Sequence, residues 1–556
     1  MIVAEVVGRT LAALGVDTVF GVVGSGNFHV TNALVNSGAR FVAARHEGGA
    51  ATMADAYARM SGKVGVVSVH QGPGLTNALT GLAEAAKSGT PLVVLAGEAT
   101  DPLSNFRIDQ DALATAVGAV PMRVDDADSA AETTAEAYAT ATRDRRAVLL
   151  NLPLEVQHAD GASAADGPPV MPARKPGTAG TMARVWPDGG AEALAWMLMR
   201  AEKPVFIAGR GARRARRELE ELADLVGALL ATSAVAKGLF RGNPWDLDVS
   251  GGFSSPLTAQ LIRGADILVA WGCSLNAWTT RHGALIGPGT EVIQIDLDEE
   301  SIATHRRVSL GLVGDIPEAA AAVADALRPA GSRPSNPVLR GYRTRALADR
   351  IAAERPWRSV PYEDESGDGR IDPRTLTIAL DDLLPDERIV ATDSGNFMGY
   401  PAMFLDVPDE GGFCFTQGFQ AVGLGLATAV GAALARPDRL PIAALGDGGA
   451  LMGIAELETV VRLGLPMVIV VYDDEAYGAE VHHFAGHSLD TVTFPPADLA
   501  SIARGYGCAA VTVSAVSDLD AVTAWLKGPR DRPLLVHAKV TRERASWWLE
   551  EAFKGH

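Results

Sequence analysis

Cysteine is scarce in this chain: Cys273, Cys414 and Cys508 are the only three among 556 residues. Their odd number and wide spacing exclude a disulfide framework and a clustered zinc site, and fit a reducing interior. Positive charge is also short. Lys and Arg number 49 against 67 Asp and Glu, a formal net charge of −18, which argues against nucleic acid or an anionic membrane as partner because both need a basic field. A phosphate ligand is compatible with that balance, since backbone N–H groups and a metal ion hold one with few basic side chains. Long apolar runs are missing too. The strongest, PMVIVVY from Pro466 to Tyr472, has the length of a strand and falls short of the ~20 residues of a membrane span. The opening MIVAEVVGRTLAALGVDTVFG holds Glu5 and Arg9 inside its apolar stretch with no basic segment before it. It reads as an amphipathic helix running into a strand, not as a signal peptide, and a soluble cytoplasmic protein is expected.

What the chain does contain is ordinary globular material, 47% apolar and 6% aromatic, with 59 Gly and 31 Pro. Its length implies three or four domains at ~150 residues each. From Ile2 to about Leu154, helical stretches alternate with short apolar runs: TVFGV, FVAA, VGVVSV, PLVVLAG and AVLLNLP. Such runs between helices are typical of parallel strands buried on both faces. A segment rich in Gly, Pro and small residues, His158 to Gly180, breaks the pattern as a linker would. PVFIAG, DILVAWG and EVIQIDLD mark a second block ending near Leu327. An Arg-, Pro- and Ser-rich stretch then runs from Pro329 to about Gly367, and RIVATDSG, PIAALGDG, PMVIVVYDD and PLLVHAKV mark a third block. The expected fold class is α/β, with three doubly wound parallel-sheet domains at 1–165, 185–328 and 368–556.

The stretch LPIAALGDGGALMGIAELETVVRLGLPMVIVVYDDEAYG, Leu440 to Gly478, runs strand, Gly-rich turn, helix, strand and polar turn, a single βαβ unit. Right-handed crossover makes its strands parallel in one sheet, so Asp447 and Asp474 reach the same carboxyl edge, where ligands of open α/β sheets bind. Two carboxylates there repel each other unless a cation lies between them. Mg²⁺ suits the place, because it takes one or two carboxylates and completes its shell with waters and phosphate oxygens. Gly446, Gly448 and Gly449 let backbone N–H groups approach a phosphate, and the following helix adds its N-terminal dipole. A tight turn with surface aspartates is the plain alternative.

GDG, a spacer of this length and a pair of Asn or Asn-like residues resembles the cofactor motif of thiamine diphosphate enzymes. The resemblance implies thiamine diphosphate and Mg²⁺ as cofactors, with Asp447, Asp474 and the main-chain carbonyl of Ala476 as metal ligands. It places Asp393, Ser394, Gly395 and Asn396 near the diphosphate, an ordinary Asp-Ser-Gly loop being the plain alternative, and makes Tyr477 and Gly478 further cofactor-binding positions. Val422 in QAVGLGLA falls where the family has a bulkier Met or Leu supporting the bent cofactor. The usual Asn-Asn is Asp473-Asp474 here, so an extra carboxylate raises the negative charge around the diphosphate. In this family the site forms between the third block of one subunit and the first block of another. That implies a homodimer or homotetramer whose outer domains are pyrimidine-binding and diphosphate-binding, with a Rossmann-like domain between them.

In the first block, FVAARHEGGAATMADAYARMSG resembles the family segment that supplies a carboxyl to the aminopyrimidine ring, and Glu47 is the matching residue. Read alone, Glu47 would be a helix N-terminal acid complementing the macrodipole. VGVVSVHQGPGLTNALTGL is similar to the strand, GPG turn and helix of acetohydroxyacid synthase-like enzymes, except that His70-Gln71 replaces Thr-Ser-type residues. A His there, with Ser25 in FGVVGSG, is instead similar to benzoylformate decarboxylase. That implies Ser25 holding a substrate carboxylate and His70 moving protons; a turn serine and a loop-capping histidine are the plain readings. Gln110 in NFRIDQDAL matches a Gln near the cofactor of benzaldehyde lyase and its carboligating relatives, and is otherwise an exposed loop amide. The stretch Ala479 to His487 carries His482, His483 and His487 where acetohydroxyacid synthases have an Arg and a Trp, which argues against biosynthetic acetolactate synthesis.

The implied activity is acetolactate synthase-like lyase or transferase chemistry. A 2-oxo acid loses CO₂, and the product is protonated to an aldehyde or joined to an aldehyde or ketone acceptor as a 2-hydroxy ketone. FAD would belong to the central block, where GRGARRARRELEE offers Gly209, Arg210 and Gly211, but this is no strong motif. A flavin-linked 2-oxo acid oxidase of the same superfamily and a non-catalytic homologue are the alternatives at this point.

Overall fold

The computed structural model describes residues 1–161, 189–328 and 341–552. Most of the segment His158 to Gly180, the first twelve residues of the Arg-, Pro- and Ser-rich stretch (329–340), and the expected domain limits at 165, 185 and 556 lie outside the described residues.

Three six-stranded sheets organise the described chain, and every strand pairing in them is parallel. The first holds β1 (Thr18–Gly21), β2 (Arg40–Ala43), β3 (Gly65–Val69), β4 (Leu92–Glu98), β5 (Val120–Arg123) and β6 (Ala147–Pro153), in the order β2-β1-β3-β4-β6-β5. The second holds β7 (Pro204–Ala208), β8 (Leu229–Thr232), β9 (Asp246–Val249), β10 (Ile267–Trp271), β11 (Glu291–Asp296) and β12 (Leu310–Val313), in the order β12-β11-β10-β7-β8-β9. The third holds β13 (Arg388–Thr392), β14 (Phe413–Phe415), β15 (Leu440–Gly446), β16 (Val468–Asp473), β17 (Ala509–Val513) and β18 (Leu534–Lys539), in the order β14-β13-β15-β16-β18-β17. The third sheet thus repeats the first strand for strand, while the middle sheet has the Rossmann order. In the outer sheets the order reverses between first and third strands, β1/β3 and β13/β15, and a crevice opens past their carboxyl ends.

The first and third blocks share one apolar cluster. Its seam is the helix Glu47–Ser61 against the helix Gly425–Ala435, joined through small residues such as Ala50, Ala54 and Ala427. At Gly431 a β-carbon would lie 2.1 Å from the Met53 carbonyl oxygen, so only glycine permits this approach. A buried polar junction closes the seam. Arg59 pairs with Asp55 and Glu84 and donates to the Phe415 carbonyl at 2.9 Å, while Glu84 accepts the backbone N–H groups of Gly418 and Phe419. Arg213 of the central block donates to the Arg59 carbonyl at 2.9 Å. Within the Arg-, Pro- and Ser-rich stretch, the helix Arg345–Glu354 buries Ile351 in the central block's core, with Leu347 and Ala348 beside it. Among the described residues no helix is long and apolar enough to cross a membrane.

Candidate active site

At the β1/β3 crevice, Ser25 Oγ lies 3.3 Å from His70 Nε2. His70 Nδ1 is 2.9 Å from the Gln71 carbonyl oxygen, which only accepts, so in the neutral ring Nδ1 carries the proton and Nε2 accepts from the Ser25 hydroxyl. The loop holding Ser25 is fixed from beneath. Fully buried Asn27 accepts the Gly24 N–H at 2.8 Å and donates to the Val22 carbonyl and Ser68 Oγ at 3.2 and 3.0 Å. A β-carbon at Gly24 would lie 2.3 Å from His70 Cδ2, so the imidazole packs directly on backbone. Phe106 meets the imidazole edge-on at 5.3 Å between ring centres.

Glu47 opens its helix half-buried, and Asn77 donates to its Oε2 at 3.0 Å. Glu47 and His70 flank the same glycine, Gly74, so Ser25, His70 and Glu47 do gather at one edge. Gln110 stays outside that group and is not an exposed loop amide. It is 2% exposed and donates to Asn151 Oδ1 at 2.7 Å, in a network continuing through Asp111 and Arg123 to Glu98. The apolar strand end at β6 draws it inward, because buried Asn151 needs a donor there.

At the β13/β15 crevice, buried Asp393 accepts the Ser394 N–H at 2.8 Å and the Gly423 N–H at 3.0 Å, tying the turn 393–396 to the loop of Val422. Burial pushes its carboxyl up to about 6 against the pull of these N–H groups. Val422 Cγ1 would be 3.3 Å from a β-carbon on Gly449, and Asp393 Oδ2 would be 2.3 Å from it. Gly395 has φ +146, and Asn396 Oδ1 accepts the Ser546 N–H at 2.9 Å. Asp447 starts the short helix Asp447–Met452 behind Gly446, and Asp474 lies in the turn after β16. Their side chains hydrogen-bond one another; burial and the facing Asp474 charge push the Asp447 carboxyl up to about 8, while burial and the neighbouring Asp473 charge push Asp474 up to about 6 in spite of its hydrogen bond with Asp447. Asp474 Oδ2 packs on Gly478, where a β-carbon would lie 2.1 Å away, and the Tyr477 ring covers Gly448. Ala476 is buried in the same turn.

The expected extra negative charge needs correction at Asp473. Its carboxylate turns away to His537 Nε2 at 2.6 Å and Lys539 Nζ at 2.7 Å, which hold it below the ordinary range in spite of burial. Only Asp474 of that pair faces Asp447. A buried and a half-buried carboxylate in mutual contact, beside the Ala476 turn and a glycine-lined cradle, fit an oxygen-liganded divalent cation and a phosphate. No group of three or more His, Cys, Asp and Glu side chains forms a metal cluster among the described residues.

Sequence reasoning missed Glu456. Its Oε1 accepts the backbone N–H groups of Arg45 and His46 at 3.0 and 3.1 Å, and Thr459 donates to its Oε2 at 2.6 Å. Its signal in ELETVV is a single acid on an otherwise core-facing stripe. Among the described residues, no hydrogen bond or ion pair joins the Ser25–His70–Glu47 edge to the Asp447–Asp474 edge. In the central block the Gly209 and Gly211 N–H groups are already used, donating to the Trp271 and Gly272 carbonyls at 2.8 and 3.2 Å.

Three family models match the chain: thiamine pyrophosphate enzyme N-terminal TPP binding domain over residues 1–122, central domain over 191–323 and C-terminal TPP binding domain over 393–538. The chain belongs to the thiamine pyrophosphate enzymes. This thiamine pyrophosphate enzyme is 30% identical to the probable 2-ketoarginine decarboxylase AruI of Pseudomonas aeruginosa over 532 residues, covering 92% of this chain and 89% of that protein. It is 28% identical to the acetolactate synthase isozyme 2 large subunit of Escherichia coli (strain K12) over 559 residues, covering 98% and 97%. In fold it resembles the Rhodococcus jostii RHA1 thiamine diphosphate-dependent 4-hydroxybenzoylformate decarboxylase, with a TM-score of 0.79 at 23% identity over 98% of this chain and 100% of the other.

Proposed function

We propose that this enzyme decarboxylates a 2-oxo acid, RCOCOO⁻ + H⁺ → RCHO + CO₂, using thiamine diphosphate and Mg²⁺. The Ser25–His70 pair beside Glu47 carries the reading: a hydroxyl donor for a carboxylate and an imidazole whose Nε2 exchanges a proton stand together at a ligand crevice. Relatives named as decarboxylases support it.

Asp447, Asp474 and the Ala476 carbonyl would hold the metal. Ser394, Gly395, Asn396, the Gly446–Gly449 turn, Val422, Tyr477 and Gly478 would hold the cofactor. Bound there, thiamine diphosphate supplies the nucleophilic carbon and electron sink that decarboxylation requires. Glu47 would hold the cofactor's pyrimidine ring through a hydrogen bond, Ser25 would donate to the substrate carboxylate, and His70 would deliver the proton that completes the aldehyde. Gln110 acts from behind, through Asn151. The half-buried setting of Glu47 in one chain supports a site completed by a second subunit, in a homodimer or homotetramer of three-domain chains in the cytoplasm. Joining to an aldehyde or ketone acceptor is the second outcome of the same chemistry.

The test is a screen of 2-oxo acids for CO₂ release by the protein loaded with thiamine diphosphate and Mg²⁺, with and without aldehyde acceptors. Release of CO₂ with stoichiometric aldehyde is expected. Consumption of an acid only with an added electron acceptor would overturn the proposal.

A further inference from the structure

Buried Asp447 and half-buried Asp474 form an acid pair with no counter-charge among the described residues. The nearby cations are spent elsewhere: Lys539 and His537 on Asp473, Arg370 on Glu475 at 2.7 Å. Among the described residues no Lys, Arg or His side chain lies within ion-pair distance of either member. Burying carboxylates without a partner is costly, and such groups pair or coordinate a metal. A diphosphate brings more negative charge to this edge and leaves that need unmet; a divalent cation meets it alone, with the Ala476 turn close by to add a carbonyl oxygen.

We propose that the Asp447–Asp474 pair binds a divalent cation by itself, so that metal loading precedes thiamine diphosphate and does not require it. The inference rests on the site reading given above. Full-length protein stripped by a chelator is titrated with Mn²⁺, free Mn²⁺ being followed by electron paramagnetic resonance, with and without saturating thiamine diphosphate. One Mn²⁺ per chain is expected in both titrations. Asp474→Asn, checked for an unchanged far-ultraviolet circular dichroism spectrum, is expected to weaken cofactor-free Mn²⁺ binding at least about tenfold while still binding Mn²⁺ when the cofactor is present. Mn²⁺ binding only with thiamine diphosphate overturns this inference and leaves the site reading standing; no binding in either titration overturns both. Cofactor-free binding untouched by Asp474→Asn places the cation elsewhere and also overturns it.

Discussion

The Glu456 carboxylate accepts the backbone N–H of His46 at 3.1 Å, so a residue of the third domain holds the loop from which Glu47 sets out. The same oxygen takes the Arg45 N–H at 3.0 Å, and at Gly49 a β-carbon would strike it at 2.4 Å. Removing that acceptor leaves two N–H groups unpaired and lets the first turn of the helix drift. A misplacement near 1 Å costs on the order of 10²-fold in rate. Glu456→Ala is therefore expected to lower kcat by about that factor with cofactor Kd unchanged, and Glu456→Gln, which keeps an acceptor oxygen, to recover most of it. Equal losses in kcat and cofactor affinity would sink the idea.

Ser25 and His70 share a hydrogen bond yet have separate tasks, and kinetics should divide them. Losing a hydrogen bond to a charged group costs about 1.5–3 kcal/mol, so Ser25→Ala should mainly raise KM for the acid, by ~10- to 100-fold. Losing a positioned proton donor costs ~10²–10⁴ in rate, so His70→Ala should mainly lower kcat for aldehyde release. Steady-state kinetics on one 2-oxo acid checks both. A kcat loss confined to Ser25→Ala would reverse the assignment.

Interior strands were legible because they are buried on both faces and read as continuous apolar runs: β3, β4, β6, β7, β10, β15, β16 and β18. Those that escaped notice are short or part-exposed. β5, β12 and β17 lie at sheet edges and are part-exposed, which dilutes the pattern, while the edge strands β9 and β14 have only four and three residues and β8 has four. The two crevices were legible from motif order, because crossover rules bring distant strand ends together. The direction of Asp473 and the inward turn of Gln110 were not, since both depend on a partner far along the chain, His537 in one case and Asn151 in the other. No local pattern encodes such pairs.

Glu84 bridges Arg59 of its own domain and the loop 416–424 of the third, through the Gly418 N–H at 2.9 Å and the Phe419 N–H at 2.6 Å. It is fully buried. Breaking a buried pair from one side typically costs about 3–5 kcal/mol, because the remaining charge stays buried. Glu84→Ala should accordingly lower the denaturant midpoint and, by releasing the loop of Val422, weaken cofactor binding as well. A midpoint within error of wild type would show that the junction relaxes freely.

The acid pair also predicts how the stripped protein responds to pH. Burial raises both Asp447 and Asp474 above their unfolded values, helped at Asp447 by the Asp474 charge and at Asp474 by the Asp473 charge. The folded chain therefore holds more protons than the unfolded one from the ordinary carboxylate range up to the raised values. Stability falls with pH wherever the folded state binds the extra protons. This contribution is complete below the ordinary carboxylate pKa and is lost as pH climbs through the raised values, at about 1.4 kcal/mol for each tenfold difference in proton affinity. Asp473, held low by Lys539 and His537, has the opposite sign and matters only at acid pH. Metal-free protein should thus lose Tm as pH rises from the ordinary carboxylate range to about 8, most steeply below about 6 where both groups contribute, and Asp447→Asn, which removes one charge of the pair, should flatten the decline. A Tm difference between the two proteins that stays constant across that range would contradict the raised pair.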